Sequence, residues 1–209
     1  MEKTQIFIGA FGGTGSRLVA EIFEKLGLYV GRGFSNPMHD FGGHDNQEFV
    51  SIFNKCFINN DYSPLFKYIT KNLQNPNRFA IKHGHFMYIY PQLRSAFPNS
   101  KMVYVMRNPI DSALNPQYTP HFNYGKLKKN NLKDKIQFYI DESTKAINHS
   151  DLVIRYEDLV YDLDSEIIKI AEFCNLDPFS SSLVDIYPSK NLGQGHWLYN
   201  KFDLSELGY

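Results

Sequence analysis

The 209-residue chain reads as an α/β protein, a three-layer α/β/α sandwich around a mainly parallel sheet. Three observations predict this. Short, nearly continuous apolar runs recur at Gln5-Ile6-Phe7-Ile8, Phe79-Ala80-Ile81, Met102-Val103-Tyr104-Val105-Met106 and Leu152-Val153-Ile154. Runs without a polar face suit strands that are covered on both sides. Amphipathic helical patterns stand between them, as parallel strands with crossover helices require.

From the N-terminus, Thr4 to Leu26 forms a strand, a glycine-rich loop and a helix. The loop is Gly9-Ala10-Phe11-Gly12-Gly13-Thr14-Gly15-Ser16, and the helix carries an apolar stripe of Leu18, Val19, Ile22, Phe23 and Leu26. Gly27 suits its end. Asp45 sits in Gly43-His44-Asp45-Asn46-Gln47-Glu48-Phe49, just before an apparent helix. After the Phe79–Ile81 strand, Met87 to Phe97 reads as a helix with Pro91 in its first turn. The Met102–Met106 strand precedes a long helix from Leu132 to Asn148. The Leu152–Ile154 strand precedes a helix from Asp164 to Cys174, capped by Asp162 or Asp164. No Pro/Ser/Gly-rich linker divides the chain, so one domain over residues 1–209 is expected.

Basic and acidic residues balance at 22 each, which argues against a large nucleic-acid-binding face. Lys126, Lys128, Lys129, Lys133 and Lys135 read as a solvated approach to a helix. Cys56 and Cys174 lie among apolar neighbours and form no Cys-x-x-Cys pair, so buried thiols are expected rather than a metal site. The first residues show no leader pattern, and no run of ~18 apolar residues could span a bilayer. A cytoplasmic protein is the expectation.

In parallel sheets, ligands bind beyond the carboxyl ends of the strands. The residues that should converge there are Gly9 to Arg17, Lys82 to His85, Arg107 to Asn115 and Arg155 to Asp158. Gly12, Gly13 and Gly15 let backbone N–H groups approach an anion, and the following helix N-terminus adds partial positive charge. Thr14 and Ser16 offer hydroxyls. The plain alternative is a tight turn. A Walker A loop would need Gly-Lys-Ser/Thr, whereas Ser16 and Arg17 follow Gly15. Arg107 ends its apolar strand in Met-Arg-Asn-Pro-Ile-Asp, where a guanidinium can fork a phosphate. Its alternative is an ion pair with Asp111. Asn115 stands ready as a second donor.

Taken together, these pieces resemble the 3′-phosphoadenosine 5′-phosphosulfate (PAPS)-dependent sulfotransferases. Gly13-Thr14-Gly15-Ser16-Arg17 stands where that family has Arg/Lys-Ser-Gly-Thr-Thr. Val105-Met106-Arg107-Asn108-Pro109-Ile110-Asp111, with Asn115 at the family's Ser, matches its second signature. Ile81-Lys82-His83, Tyr90-Pro91-Gln92-Leu93, Phe97-Pro98-Asn99, Ile154-Arg155-Tyr156-Glu157-Asp158-Leu159 and Gly195-His196-Trp197 follow in the family's order.

The resemblance implies a P-loop nucleotide-kinase-like fold and roles for the matching residues. Gly13, Thr14, Gly15, Ser16 and Arg17 would hold the 5′-phosphosulfate. Arg107 and Asn115 would hold the 3′-phosphate, Tyr156 would contact the adenine, and Lys190 and Asn191 would cover the 3′-phosphate. Gly13 replaces the family's basic residue, which leaves Arg17 and Lys82 as candidate cations for charge developing on the leaving oxygen. The acceptor, a hydroxyl or amine on a small molecule or glycan, needs a general base. Asp45 is favoured because related enzymes often place an acidic residue of the acceptor site there. His83, His85 and His44 compete, and an N-cap is Asp45's other reading. No metal is expected. The competing functions are a P-loop-type small-molecule or nucleotide kinase and a non-catalytic nucleotide-binding relative. Gly42-Gly43 and Pro116 to Tyr124 read as loops lining an acceptor pocket.

Overall fold

The computed structural model describes residues 3–30, 47–73, 75–114, 132–178, 204–207 and 209. Its sheet has the order β2 (Arg78–Lys82), β1 (Thr4–Ala10), β3 (Ser100–Met106) and β4 (Leu152–Arg155), and every pairing is parallel. Strand β1 (Thr4–Ala10) leads through the glycine loop into helix α1 (Ser16–Lys25). Helices α2 (Gln47–Asn59) and α3 (Ser63–Asn72) precede β2 (Arg78–Lys82). A 3-10 turn, Gly84–Tyr88, and α4 (Tyr90–Ala96) lead to β3 (Ser100–Met106). Next come α5 (Pro109–Leu114), α6 (Leu132–Asn148), β4 (Leu152–Arg155), α7 (Tyr156–Tyr161) and α8 (Leu163–Phe173). A 3-10 turn at Ser205–Leu207 lies near the end of the chain.

The strand alternation sorts side chains onto two cores, because successive residues of a strand face opposite sides. Ile6, Ile8, Ala80, Val103, Val105 and Ile154 pack with Val19, Ile22 and Phe23 of α1 and with Ile167 and Ile170 of α8. On the other face, Phe7, Phe79, Ile81, Met102 and Tyr104 meet Phe49 and Phe53 of α2, Leu65 of α3, Leu93 of α4 and Ile136 of α6. Helices on both faces make the three-layer sandwich that the apolar runs predict. Among the described residues, no helix is long and apolar enough to cross a membrane.

Most element positions follow the sequence reading. The sequence reading has no helix at α3, α5 or α7 and begins the glycine loop at Gly9, whereas β1 runs on to Ala10; the helix expected over Met87–Phe97 also departs. The chain first makes the 3-10 turn, and α4 begins only at Tyr90, with Pro91 in its first turn. Packing explains the break. A Cβ on Gly84 would lie 2.7 Å from the Ala10 carbonyl oxygen, so the turn is pressed against the end of β1. At α8, Asp162 rather than Asp164 is the cap. Its carboxylate accepts from the Ser165 N–H at 3.2 Å and from the Ser165 hydroxyl at 2.8 Å. Both bonds favour the charged form and hold its pKa below the usual value. Cys56 and Cys174 are both buried thiols. Burial, opposed in part by Lys101, pushes Cys174 up to about 12.

Candidate functional site

Strand order places the site. From β1 the chain crosses to β2 on one side, while β3 and β4 extend the sheet on the other. The switch point therefore lies between β1 and β3, where parallel sheets take their ligands. The two strand ends at this point carry the glycine loop and Arg107.

The loop has the backbone that its glycines allow. Gly13 and Gly15 have φ of 80° and 84°, in the left-handed region that side chains disfavour. Gly15 is the N-cap of α1, so Ser16 and Arg17 occupy the first turn, where backbone N–H groups lack helical acceptors. Thr14 is buried, and its hydroxyl donates to the Phe11 carbonyl at 2.8 Å. Its proton therefore shapes the loop, a role the residue type alone does not disclose. Arg17 is exposed on α1.

Tyr156 joins this loop to Arg107. A Cβ on Gly15 would sit 2.1 Å from Tyr156 Cδ2, so the ring lies directly against the glycine. The Arg107 guanidinium stands over the same ring, with Cζ 5.4 Å from its centroid, a cation–π arrangement. Arg107 and Tyr156 are both buried. Thus three strand ends, remote in sequence, meet on one aromatic ring.

Asn108 completes the exit of β3. Its side-chain oxygen accepts from the Ile110 N–H at 3.0 Å, capping α5, and Pro109 fills the first helical position. The Asn-Pro pair was a readable cap signal that the site reading passed over. The Asn108 N–H donates to Glu157 Oε1 at 2.8 Å. Tyr90 stands out in the sequence only as part of a motif, and its role is not legible there. Its hydroxyl accepts from the Gly9 N–H at 2.8 Å and donates to the Val103 carbonyl at 2.5 Å. Burial drives its pKa well above the ordinary phenol value.

Lys82 ends β2 beside Ile8 of β1, at the same carboxyl end of the sheet as the loop. His83 is 1% exposed and lies in an aromatic nest, with ring centroids of Phe49 at 4.8 Å and Phe53 at 5.1 Å. His85 lies 4.9 Å from His83 and 5.2 Å from Phe53. The packing around His83 suits a core histidine, and His85 is nearer the surface. Asp45, His44, Gly42, Gly43, Asn115, Lys190 and Asn191 lie outside the described residues, as do Pro116 to Tyr124 and Gly195-His196-Trp197.

A glycine-rich loop at the switch point of a parallel sheet, with a strand-end arginine against the same tyrosine ring, marks a P-loop-like α/β domain. The model of the sulfotransferase family matches residues 35–181, more than half the chain, and the chain belongs to that family. Among curated proteins, none matches it in sequence. Three solved structures are similar in fold. The sulfotransferase STF9 from Mycobacterium avium is 11% identical with a TM-score of 0.53, over 87% of this chain and 65% of that one. Mouse sulfotransferase SULT7A1, complexed with PAP, is 17% identical with a TM-score of 0.50, over 89% and 63%. Shikimate kinase from Bacteroides thetaiotaomicron is 14% identical with a TM-score of 0.54, over 83% and 99%. The chain thus spans slightly less than two thirds of the length of the two sulfotransferases.

Proposed function

We propose that this chain, as one domain over residues 1–209, is a PAPS-dependent sulfotransferase acting on a hydroxyl or amine of a small-molecule or glycan acceptor. The observation that carries the reading is the Tyr156 ring, held between the Gly15 loop and Arg107. One flat aromatic surface flanked by an anion loop and a buried guanidinium suits an adenine nucleotide with two separated anionic groups. The residues fit such a ligand. The positive φ values of Gly13 and Gly15 support a loop of inward N–H groups, and no Cβ crowds the ring at Gly15. When bound, PAPS supplies the sulfuryl group and leaves as 3′,5′-ADP, the compound named PAP in the mouse complex.

In this reading Gly13, Thr14, Gly15, Ser16 and Arg17 hold the 5′ end, with Thr14 acting through its backbone N–H. Arg107, Asn115, Lys190 and Asn191 hold the 3′-phosphate, and Tyr156 carries the base. Arg17 and Lys82 supply positive charge near the leaving oxygen. Both stand at the carboxyl end of the sheet, Arg17 in the first turn of α1 and Lys82 at the end of β2. Asp45 takes the proton of the acceptor. The enclosure of His83 by Phe49 and Phe53 supports Asp45 over that histidine, and His85 is the remaining competitor.

Calorimetric titration tests the reading. We expect 3′,5′-ADP to bind without magnesium and ATP with magnesium to bind weakly. Binding of ATP–Mg in the absence of any 3′,5′-ADP binding would make the protein a P-loop-type kinase instead. Asp45→Asn is expected to spare 3′,5′-ADP affinity and abolish transfer to the acceptor. Undiminished transfer in that variant moves the base to His85.

A further inference from the structure

The carboxylate of Glu157 is held from two sides. Oε1 accepts from the Asn108 N–H at 2.8 Å, the first peptide after Arg107. Oε2 accepts from the Tyr209 hydroxyl at 2.9 Å. Tyr209 is itself fixed. The Arg155 guanidinium lies 5.3 Å from its ring centroid and donates to the Leu207 carbonyl at 2.9 Å. Leu204 and Leu207 anchor the same segment in the core. An ordinary phenol keeps its proton at neutral pH, so the Tyr209 hydroxyl stays a donor to Glu157.

A carboxylate so near a proposed phosphate site calls for an explanation, because its charge repels the ligand. Its hydrogen bonds supply one. The backbone between Arg107 and Asn108 turns from β3 into α5, and Arg107 is useful only if that turn is fixed. Glu157 follows Tyr156 directly on α7. One short segment therefore supplies both the ring beneath the guanidinium and the acceptor for the next peptide.

We propose that Glu157 is a positioning residue for Arg107, and that Tyr209 is the second hold on its carboxylate. Glu157 sets the exit of β3 so that the guanidinium rests over Tyr156, and the Tyr209 hydroxyl keeps Oε1 aimed at Asn108. This rests on the reading of Arg107 as the 3′-phosphate ligand.

The test measures 3′,5′-ADP affinity by calorimetry and amide exchange at Asn108 by NMR in wild type, Glu157→Ala, Glu157→Gln and Tyr209→Phe. Glu157→Ala should weaken 3′,5′-ADP about tenfold and speed Asn108 exchange, since a hydrogen bond to a charged group is lost. Tyr209→Phe keeps the ring on Arg155 and should weaken binding roughly threefold. Glu157→Gln keeps an acceptor for Asn108 and should recover most of the affinity. That rescue separates positioning from charge. Unchanged 3′,5′-ADP affinity in both Glu157→Ala and Tyr209→Phe overturns the proposal while leaving the sulfotransferase reading intact. Failure of Glu157→Gln to rescue also overturns it. Absence of 3′,5′-ADP binding in the wild type removes the parent reading, and this role with it.

Discussion

Gly15→Ala imposes two separable costs. Gly15 has φ of 84°, and a left-handed backbone costs an ordinary residue about 1–2 kcal/mol. The added methyl would also sit 2.1 Å from Tyr156 Cδ2 and 2.6 Å from Cε2. Tyr156 is buried, so its ring must shift, and overpacking of this kind costs about 1–3 kcal/mol. The sum is about 2–5 kcal/mol, a large share of the roughly 5–15 kcal/mol that holds a domain folded. Gly27 provides the control, because its φ is 85° and a Cβ there meets nothing within 4 Å. With a urea slope of about 2 kcal/mol/M, Gly27→Ala should lower the unfolding midpoint by about 0.5–1 M and Gly15→Ala by about 1–2.5 M. The double variant Gly15→Ala/Tyr156→Ala should fall short of additivity by the steric part, about 1–3 kcal/mol. Equal midpoint shifts for the two glycine variants, or strict additivity in the double variant, would refute the contact between Gly15 and Tyr156.

Arg107→Ala should weaken 3′,5′-ADP by roughly 10- to 150-fold, from the loss of about 1.5–3 kcal/mol of charge-assisted hydrogen bonding. Unchanged affinity in calorimetry would take Arg107 out of the site. Stability should decline as pH rises above about 8.5, the ordinary cysteine value. Below it both states keep the Cys174 proton and stability is fully present. Above it the unfolded thiol ionises, while the folded one holds its proton up to about 12. Tyr90 and Tyr104, both raised by burial, extend the loss at higher pH. Urea midpoints across pH 7–11 would measure the slope, and Cys174→Ala should flatten its first part. Tyr90→Phe strands the buried Gly9 N–H and Val103 carbonyl, at a cost of about 1–3 kcal/mol by urea unfolding.

The strands were legible because burial on both sides leaves a mark in the residues themselves. Ile6, Phe7 and Ile8 are all buried, and so are Met102 to Met106. Helix α6 was legible for its length and periodicity. The break before α4 was hidden, because it depends on how closely Gly84 approaches Ala10 in space. The site was legible as strand ends. Arg107, Gly15 and Tyr156 each stood out, but no spacing announces that one ring serves both others. Glu157 stood in a matching motif, but neither its bond to Asn108 nor its pairing with Tyr209 left a signal. A partly exposed acid on a short helix and a tyrosine 52 residues away look alike in sequence whether or not they touch.

The shared hydroxyl of Tyr90 has a consequence for the order of folding. Its acceptor, Val103, is 13 residues away, whereas its donor, Gly9, is 81 away. Closing the shorter loop sacrifices less chain entropy, so α4 and β3 can assemble before β1 arrives. The phenol then presents a ready acceptor to the first strand, and β1 docks along an edge that already exists. In that sequence the glycine loop, carried on the end of β1, takes shape late. Tyr90→Phe should then slow refolding, through loss of the early bond to Val103, and speed unfolding, through loss of the late bond to Gly9. The glycine-loop end of the sheet would be the first part to loosen whenever β1 lets go.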